Sequence, residues 1–199
     1  MRTKSTTHSW PRASRSKWAV VTSVLLAAGG VSFAPGARAE PTEAASDLHV
    51  AFAASFGYVG GEKEKRAIEA AIDRALDGMF FAIKPIARAK LRQGAVLLPS
   101  LSFAFRDGKI QSLSSGNPPI VSPETGENIS YRAADGETYR VSQRFVGTKL
   151  MQQFVAADGT RKNEYVLSEQ GKTLNLAVTL SSQKLPRPLM YRLSYQKQD

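Results

Sequence analysis

Reactive side chains are sparse in this chain of 199 residues. It has no cysteine, which excludes disulfides, thiolate metal sites, thiol nucleophiles and a lipid-modified cysteine anchor. Of its two histidines, His8 sits in a leader described below, which leaves His49 in a segment of unclear periodicity. A hydrolytic triad needs a base within reach of a nucleophile and a third group to orient it. No serine stands in a Gly-x-Ser-x-Gly elbow, and His49 reads as a structural or solvent-facing residue. No spacing of His, Asp and Glu suggests a metal cage. Gly57, Gly60 and Gly61 lack the lysine and spacing of a phosphate-cradling loop. Asp135 and Asp158 each precede a glycine, as turn residues do. No carboxylate pair is singled out for work on a glycosidic bond, a matter of separation in space. The sequence predicts a protein that is not an enzyme and uses no cofactor or metal.

Recognition chemistry is better represented. Gln143 falls in phase with Tyr139, Val141 and Phe145, so an amide is predicted on a buried face. Left unsatisfied there it costs about 1–3 kcal/mol. It is either a polar handle inside a ligand cavity or a residue at a barrel mouth or bulge. Tyr139, Phe145, Tyr165 and Tyr191 pose a similar choice between cavity wall and core packing. The candidate ligand-binding set is Tyr139, Gln143, Phe145, Tyr191 and Leu193, with Gln143 its strong polar group. On that reading Gln143→Leu leaves folding intact and weakens a ligand with a polar head. Arg140 and Arg144, four residues apart on the opposite face, either grip an anionic group or are simply solvated.

The elements that must position these residues change period along the chain. Ala67, Ile68, Ala71, Ile72, Ala75, Leu76 and Met79 recur in steps of three and four, which predicts a helix from residue 62. A second helical piece is expected over residues 85–93, with Pro85 in its first turn and basic Arg88, Lys90 and Arg92 towards its end. After Gly94 the period becomes two. Leu101, Phe103 and Phe105 form one face, as do Leu174, Leu176, Val178 and Leu180, and then Leu189, Tyr191, Leu193 and Tyr195. Asp107-Gly108, Asp135-Gly136, Asp158-Gly159, Gly147 and Gly171 mark the turns between them. One apolar and one polar face on successive strands means an antiparallel sheet wet on one side. Such a sheet must pack on something or curl on itself. The fold class expected is therefore mainly β: a curled antiparallel meander or barrel of about eight strands with one or two N-terminal helices.

Charge has to be divided before it is interpreted. The 27 Lys plus Arg against 17 Asp plus Glu give +10 overall. Arg2, Lys4, Arg12, Arg15, Lys17 and Arg38 lie in the first 39 residues, which contain no acid, so the remainder is only +4. A nucleic-acid partner loses its electrostatic basis. The same 39 residues combine a basic start, an apolar stretch over about residues 18–34 and the small-x-small site Ala37-Arg38-Ala39 before Glu40, the pattern of a signal peptide. The organisation expected is 1–39 signal peptide, 40–61 flexible N-terminal segment or first strand, and 62–199 helix-plus-meander domain. Localisation follows as periplasmic or secreted, with no stable membrane insertion after cleavage.

The meander over residues 137–197, with the endings Gly171-Lys172-Thr173-Leu174 and Leu185-Pro186-Arg187-Pro188-Leu189-Met190-Tyr191, resembles the lipocalin-like (calycin) group of small exported bacterial β-barrels. The resemblance implies a barrel whose interior holds a small apolar molecule. The expected function is non-enzymatic binding of a small apolar or amphipathic ligand. The alternative is an envelope protein–protein interaction module using a sheet edge or the basic helix. A cavity of about 300 Å³ or more distinguishes the first, and an exposed apolar patch the second.

Overall fold

Period-two alternation governs most of the chain and the structure, a computed structural model that describes residues 43–198, is correspondingly a sheet. All these residues belong to the compact unit Glu40–Asp199. The expected signal peptide and its cleavage after Ala39 lie outside the described residues. In chain order the elements are α1 (Glu43–Phe52), β1 (Ser55–Tyr58), α2 (Gly61–Ala75), α3 (Lys84–Gly94), β2 (Ser100–Arg106), β3 (Lys109–Ser114), β4 (Ile120–Pro123), β5 (Ile129–Arg132), β6 (Thr138–Val146), β7 (Lys149–Ala156), β8 (Gly159–Leu167), β9 (Thr173–Ser181) and β10 (Leu189–Lys197).

One antiparallel sheet contains all ten described strands in the order β4-β3-β2-β1-β10-β9-β8-β7-β6-β5. Short β1 joins the two ends of the meander by pairing with both β2 and β10. The sheet then curls until its two edges meet through side chains. Ile120 of β4 packs with Tyr131 of β5 and Val141 of β6, and the Tyr131 hydroxyl donates to the Pro118 carbonyl at 3.0 Å. The result is a nearly closed barrel. It corrects the expectation of about eight strands and one or two helices to ten and three. The physical reason is length: β1, β4 and β5 have four residues each, too few to show alternation. The unpatterned segment around His49 divides into α1 and β1, a helix then a strand.

Turn chemistry sets the register. At the β2–β3 hairpin Asp107 and Gly108 both have positive φ, +52° and +67°, as a two-residue Asp-Gly turn requires. In a meander alternate turns lie at opposite ends of the barrel, and the helices differ accordingly. Helix α1 closes the end that carries the β2–β3 turn. Phe52 is buried against Phe103 and Phe145, and the His49 ring stacks on Phe105 at 4.6 Å with its Nε2 3.1 Å from a Glu124 carboxylate oxygen.

Helix α2 packs along β10, burying Ile68, Ala71, Ile72 and Ala75 in the main core with Leu174, Leu176, Val178, Leu189 and Leu193. Its first turn is pinned where β1 runs out. The Glu64 carboxylate accepts the Ser194 backbone N–H at 3.1 Å and its hydroxyl at 2.7 Å, in place of a strand partner. A side chain at Gly60 would collide with that carboxylate. Helix α3 is held to α2 by Arg88–Asp73 at 2.5 Å and Arg92–Glu69 at 2.7 Å and buries Leu91.

Candidate ligand-binding site

The inner face of β6, β7 and β8 departs from the apolar rule. Gln143 faces Gln152 across the β6–β7 pair, and Gln152 faces Asn163 across β7–β8. All three are buried. A row of amides on the inside of a barrel is costly unless every donor is used, and here every one is. The Gln143 amide donates to the Ile110 carbonyl at 3.1 Å and the Ser122 hydroxyl at 3.0 Å, so it spans the interior from β6 to β3 and β4. Gln152 donates to the Ser112 hydroxyl at 2.9 Å and the Gln143 carbonyl at 3.0 Å. Asn163 donates to the Gln152 carbonyl at 2.9 Å and the Tyr165 hydroxyl at 3.1 Å. Tyr165 in turn donates to the Gln152 carbonyl at 2.9 Å.

Arg161 stands at the head of this network. Its Nε donates to the Asn163 side-chain carbonyl at 2.9 Å, and one terminal nitrogen to the Gly94 carbonyl at the C-terminus of α3 at 3.3 Å. Of the five guanidinium N–H groups three remain. Among the described residues no carboxylate lies within ion-pair distance of it; Arg161 belongs to none of the ion pairs formed there. Its cross-strand neighbours are Phe154 and Leu180.

That guanidinium borders a cavity of about 290 Å³ at the barrel end opposite α1. Leu101, Phe103, Ile120, Tyr131, Phe154 and Leu180 supply apolar wall, and Gln93 to Leu98, the chain leaving α3, contributes to its rim. Ser112, Gln152 and Asn163 present the edge of the amide network. Arg161 is half-buried at this rim, which Asp135 also lines. Burial pushes the Tyr165 phenol up to about 12 despite the opposing pull of Arg161. Burial likewise raises Tyr139, with Asp135 and Glu137 adding to it and Arg161 subtracting. Burial also raises Tyr191 and Tyr195, whose hydroxyls find no partner among the described residues.

The five residues chosen from the sequence all come from inward-phased positions, but the structure distributes them. Tyr139 lines the cavity. Gln143 is fully enclosed and hydrogen-bonded in the network, not among the lining residues. Phe145 packs beneath α1 with His49, Phe52 and Phe105. Tyr191 and Leu193 belong to the main core that includes α2. The hydrogen bonds of Gln143 weigh against the expectation that Gln143→Leu leaves folding intact, since the change would strip Ser122, the Ile110 carbonyl and one Gln152 amide N–H of a partner. Arg140 and Arg144 lie on the outer face, lining a polar surface groove with Lys149 and Lys162. Arg161 and Asn163 are hard to read because β8 alternates Arg161, Asn163 and Tyr165 against Lys162 and Glu164, and Gln152 because β7 mixes apolar and polar residues in both phases, Leu150, Gln152 and Phe154 against Met151, Gln153 and Val155. Both phases of β8 are polar, so hydropathy offers no inside. The usable signal was the register: once β8 pairs with β9, Arg161 must share a face with Leu180.

The chain matches no protein-family model and no curated protein. Among solved structures it is similar to a REP1-NXSQ fatty acid transporter, at 11% identity and a TM-score of 0.47, over 77% of this chain and 98% of the other. It is similar to a Schistosoma mansoni fatty acid binding protein in complex with arachidonic acid, at 12% identity and 0.46, over 76% and 99%. It is also similar to a zebrafish ileal bile acid-binding protein complexed with cholic acid, at 12% identity and 0.45, over 74% and 99%.

Proposed function

We propose that this protein binds, without chemical turnover, a small amphipathic molecule with an anionic head, the tail in the 290 Å³ cavity and the head at Arg161. One observation carries the reading: a guanidinium in no ion pair among the described residues, yet fixed by Asn163 and the Gly94 carbonyl, at the rim of a mainly apolar cavity. An anionic head would pair with the three guanidinium N–H groups left over at this half-buried position, while its tail is held by buried area. The cavity is at the small end of ligand pockets, which favours a short or medium tail. Tyr139, on the rim with Asp135 and Arg161, is the second residue placed to touch the head.

The test is a paired titration of a medium-chain carboxylate and the alcohol of equal length against wild type and Arg161→Gln. A hydrogen bond to a charged group is worth about 1.5–3 kcal/mol, so the substitution should weaken the carboxylate roughly tenfold or more and leave the alcohol unchanged. Equal losses for both, or no binding of either to wild type at high micromolar concentration, would overturn the proposal.

The basic leader, its short apolar stretch and Ala37-Arg38-Ala39 support a second element of the proposal: export, with a mature N-terminus at Glu40 in the periplasm or outside the cell. N-terminal sequencing of the exported chain tests it, and an intact Met1 in the membrane fraction would defeat it.

A further inference from the structure

The turn between α2 and α3 exposes what a water-facing turn should hide. Phe80, Phe81, Ile83 and Ile86 are 63%, 78%, 51% and 64% exposed, four large apolar side chains within seven residues. The Phe80 and Phe81 rings lie 4.7 Å apart, so they form one knob. Scattered exposed hydrophobes need no explanation, whereas contiguous ones mark an interaction surface. Along this stretch of sequence the charge has one sign. Between Gly78 and Gly94 there are four bases, Lys84, Arg88, Lys90 and Arg92, and no acid. Arg88 and Arg92 are committed to Asp73 and Glu69 on α2, but Lys84 and Lys90 enter no ion pair among the described residues.

We infer that this knob docks on the surface of an anionic lipid bilayer, with Phe80, Phe81, Ile83 and Ile86 entering the headgroup–acyl boundary and Lys84 and Lys90 resting on the headgroups. Exposed apolar side chains followed in the chain by two lysines outside any described ion pair are complementary to that surface in both its layers. Among the described residues no helix is long and apolar enough to cross a membrane, so the contact is peripheral. Nothing in it requires the cavity to be filled, and it stands whether or not the ligand proposal does. If both hold, they are connected. Helix α3 carries the knob at its N-terminal end and the cavity rim, at Gly94, at its C-terminal end. Eleven residues span about 16 Å, so a docked knob brings the mouth close to the lipid headgroups.

The experiment uses the protein as recovered from its own host, sedimented with vesicles of phosphatidylcholine alone or with one-third phosphatidylglycerol. Binding is expected to the anionic vesicles, weaker to the neutral ones, and to fall with salt as the Debye length contracts. Phe80→Ser/Phe81→Ser should reduce partitioning roughly tenfold or more, with its urea midpoint unchanged because both rings are exposed. Lys84→Glu/Lys90→Glu should reduce partitioning to anionic vesicles alone. Met190→Ser, an equally exposed apolar site at 61%, should change nothing. The inference is overturned by absence of binding to anionic vesicles at low salt, by a Phe double variant that binds like wild type, or by a matching loss in Met190→Ser. A protein partner for the knob would then be the remaining occupant.

Discussion

Two stretches of the inner wall solve the same problem in opposite ways. On β9 and β10 the inner face is apolar, with Leu174, Leu176, Val178, Leu189 and Leu193 buried beside Tyr191 and Tyr195 in the core that α2 completes. On β6 to β8 the equivalent row reads Gln143, Gln152 and Asn163, and it meets not a helix but the facing strands β3 and β4 through Ser112, Ser122 and the Ile110 carbonyl. The amide row stops where Asn163 gives way to Val178 on β9. Helix α2 turns mainly apolar side chains, Ile68, Ala71, Ile72 and Ala75, towards the sheet, and the wall beneath it is apolar to match. Strands β3 and β4 offer the Ser112 and Ser122 hydroxyls and the Ile110 carbonyl, so amides can bridge to them. The bridged side holds the two walls apart at fixed points and leaves the cavity between them, while the helix side is filled.

The sharpest way to break this contrast is on the filled side. Leu176→Ala should cost about 2–5 kcal/mol, the range for a buried leucine truncated in a packed core, read from urea melts. A loss under about 1 kcal/mol would mean that the wall there is not packed.

Alkaline pH probes the boundary between the two walls next, where Tyr165 of β8 pairs with Leu176 of β9. The Tyr165 phenol is raised to about 12 from an ordinary value of 10. A group whose folded pKa is raised contributes fully below its unfolded pKa and loses that contribution as pH rises towards the folded one. Stability should therefore hold up to about pH 10 and fall by about 2–3 kcal/mol, on the order of two pKa units, by about pH 12. Tyr191 and Tyr195, shifted upward too, add in the same direction. Urea midpoints measured in parallel with phenolate absorbance give the check, and phenolate appearing near pH 10 without unfolding would contradict it.

On the bridged side, Gln152→Leu should cost about 1–3 kcal/mol, because it orphans the Ser112, Gln143, Asn163 and Tyr165 groups that meet at that amide. Replacing Gln143, Gln152 and Asn163 together by leucine should recover part of the loss while shrinking the cavity, since removing both partners of a hydrogen bond costs less than removing one. A triple variant worse than the sum of its parts would show that the bridges to β3 and β4 dominate. The smallest effect belongs to Asn175→Ala, on the outer face beside Leu176, expected within about 0.5 kcal/mol.

The same contrast explains what could be read from the residues alone. Strands β9 and β10 announce themselves because their outer residues are polar and their inner ones are not, and α2 because Ile68, Ala71, Ile72 and Ala75 keep helical spacing. Gln143 was visible as an exception because Val141 and Phe145 on the same strand define the phase. Arg161 was not, since no apolar residue at Arg161 or Asn163 marks which way β8 faces. Its position becomes meaningful only through pairing with β9. Helix α1 stayed hidden for a different reason: Val50 is exposed and Leu48 only half-buried, so its place depends on Phe52 and on the contacts of His49 with Phe105 and Glu124. The spread of the five chosen residues over three surroundings follows from curvature. Sharing a face of a flat sheet says nothing about sharing a compartment once the sheet is rolled and partitioned by side chains.

The plug formed by α1 has a kinetic consequence. With Phe52 and His49 stopping one end of the barrel, the cavity opens towards the end of α3 and the β5–β6 and β7–β8 turns. On the proposed reading, entry and exit would share that doorway. An elongated occupant with too little room to turn inside about 290 Å³ would keep beside Arg161 the end that enters second, so its orientation would be decided at the moment of entry.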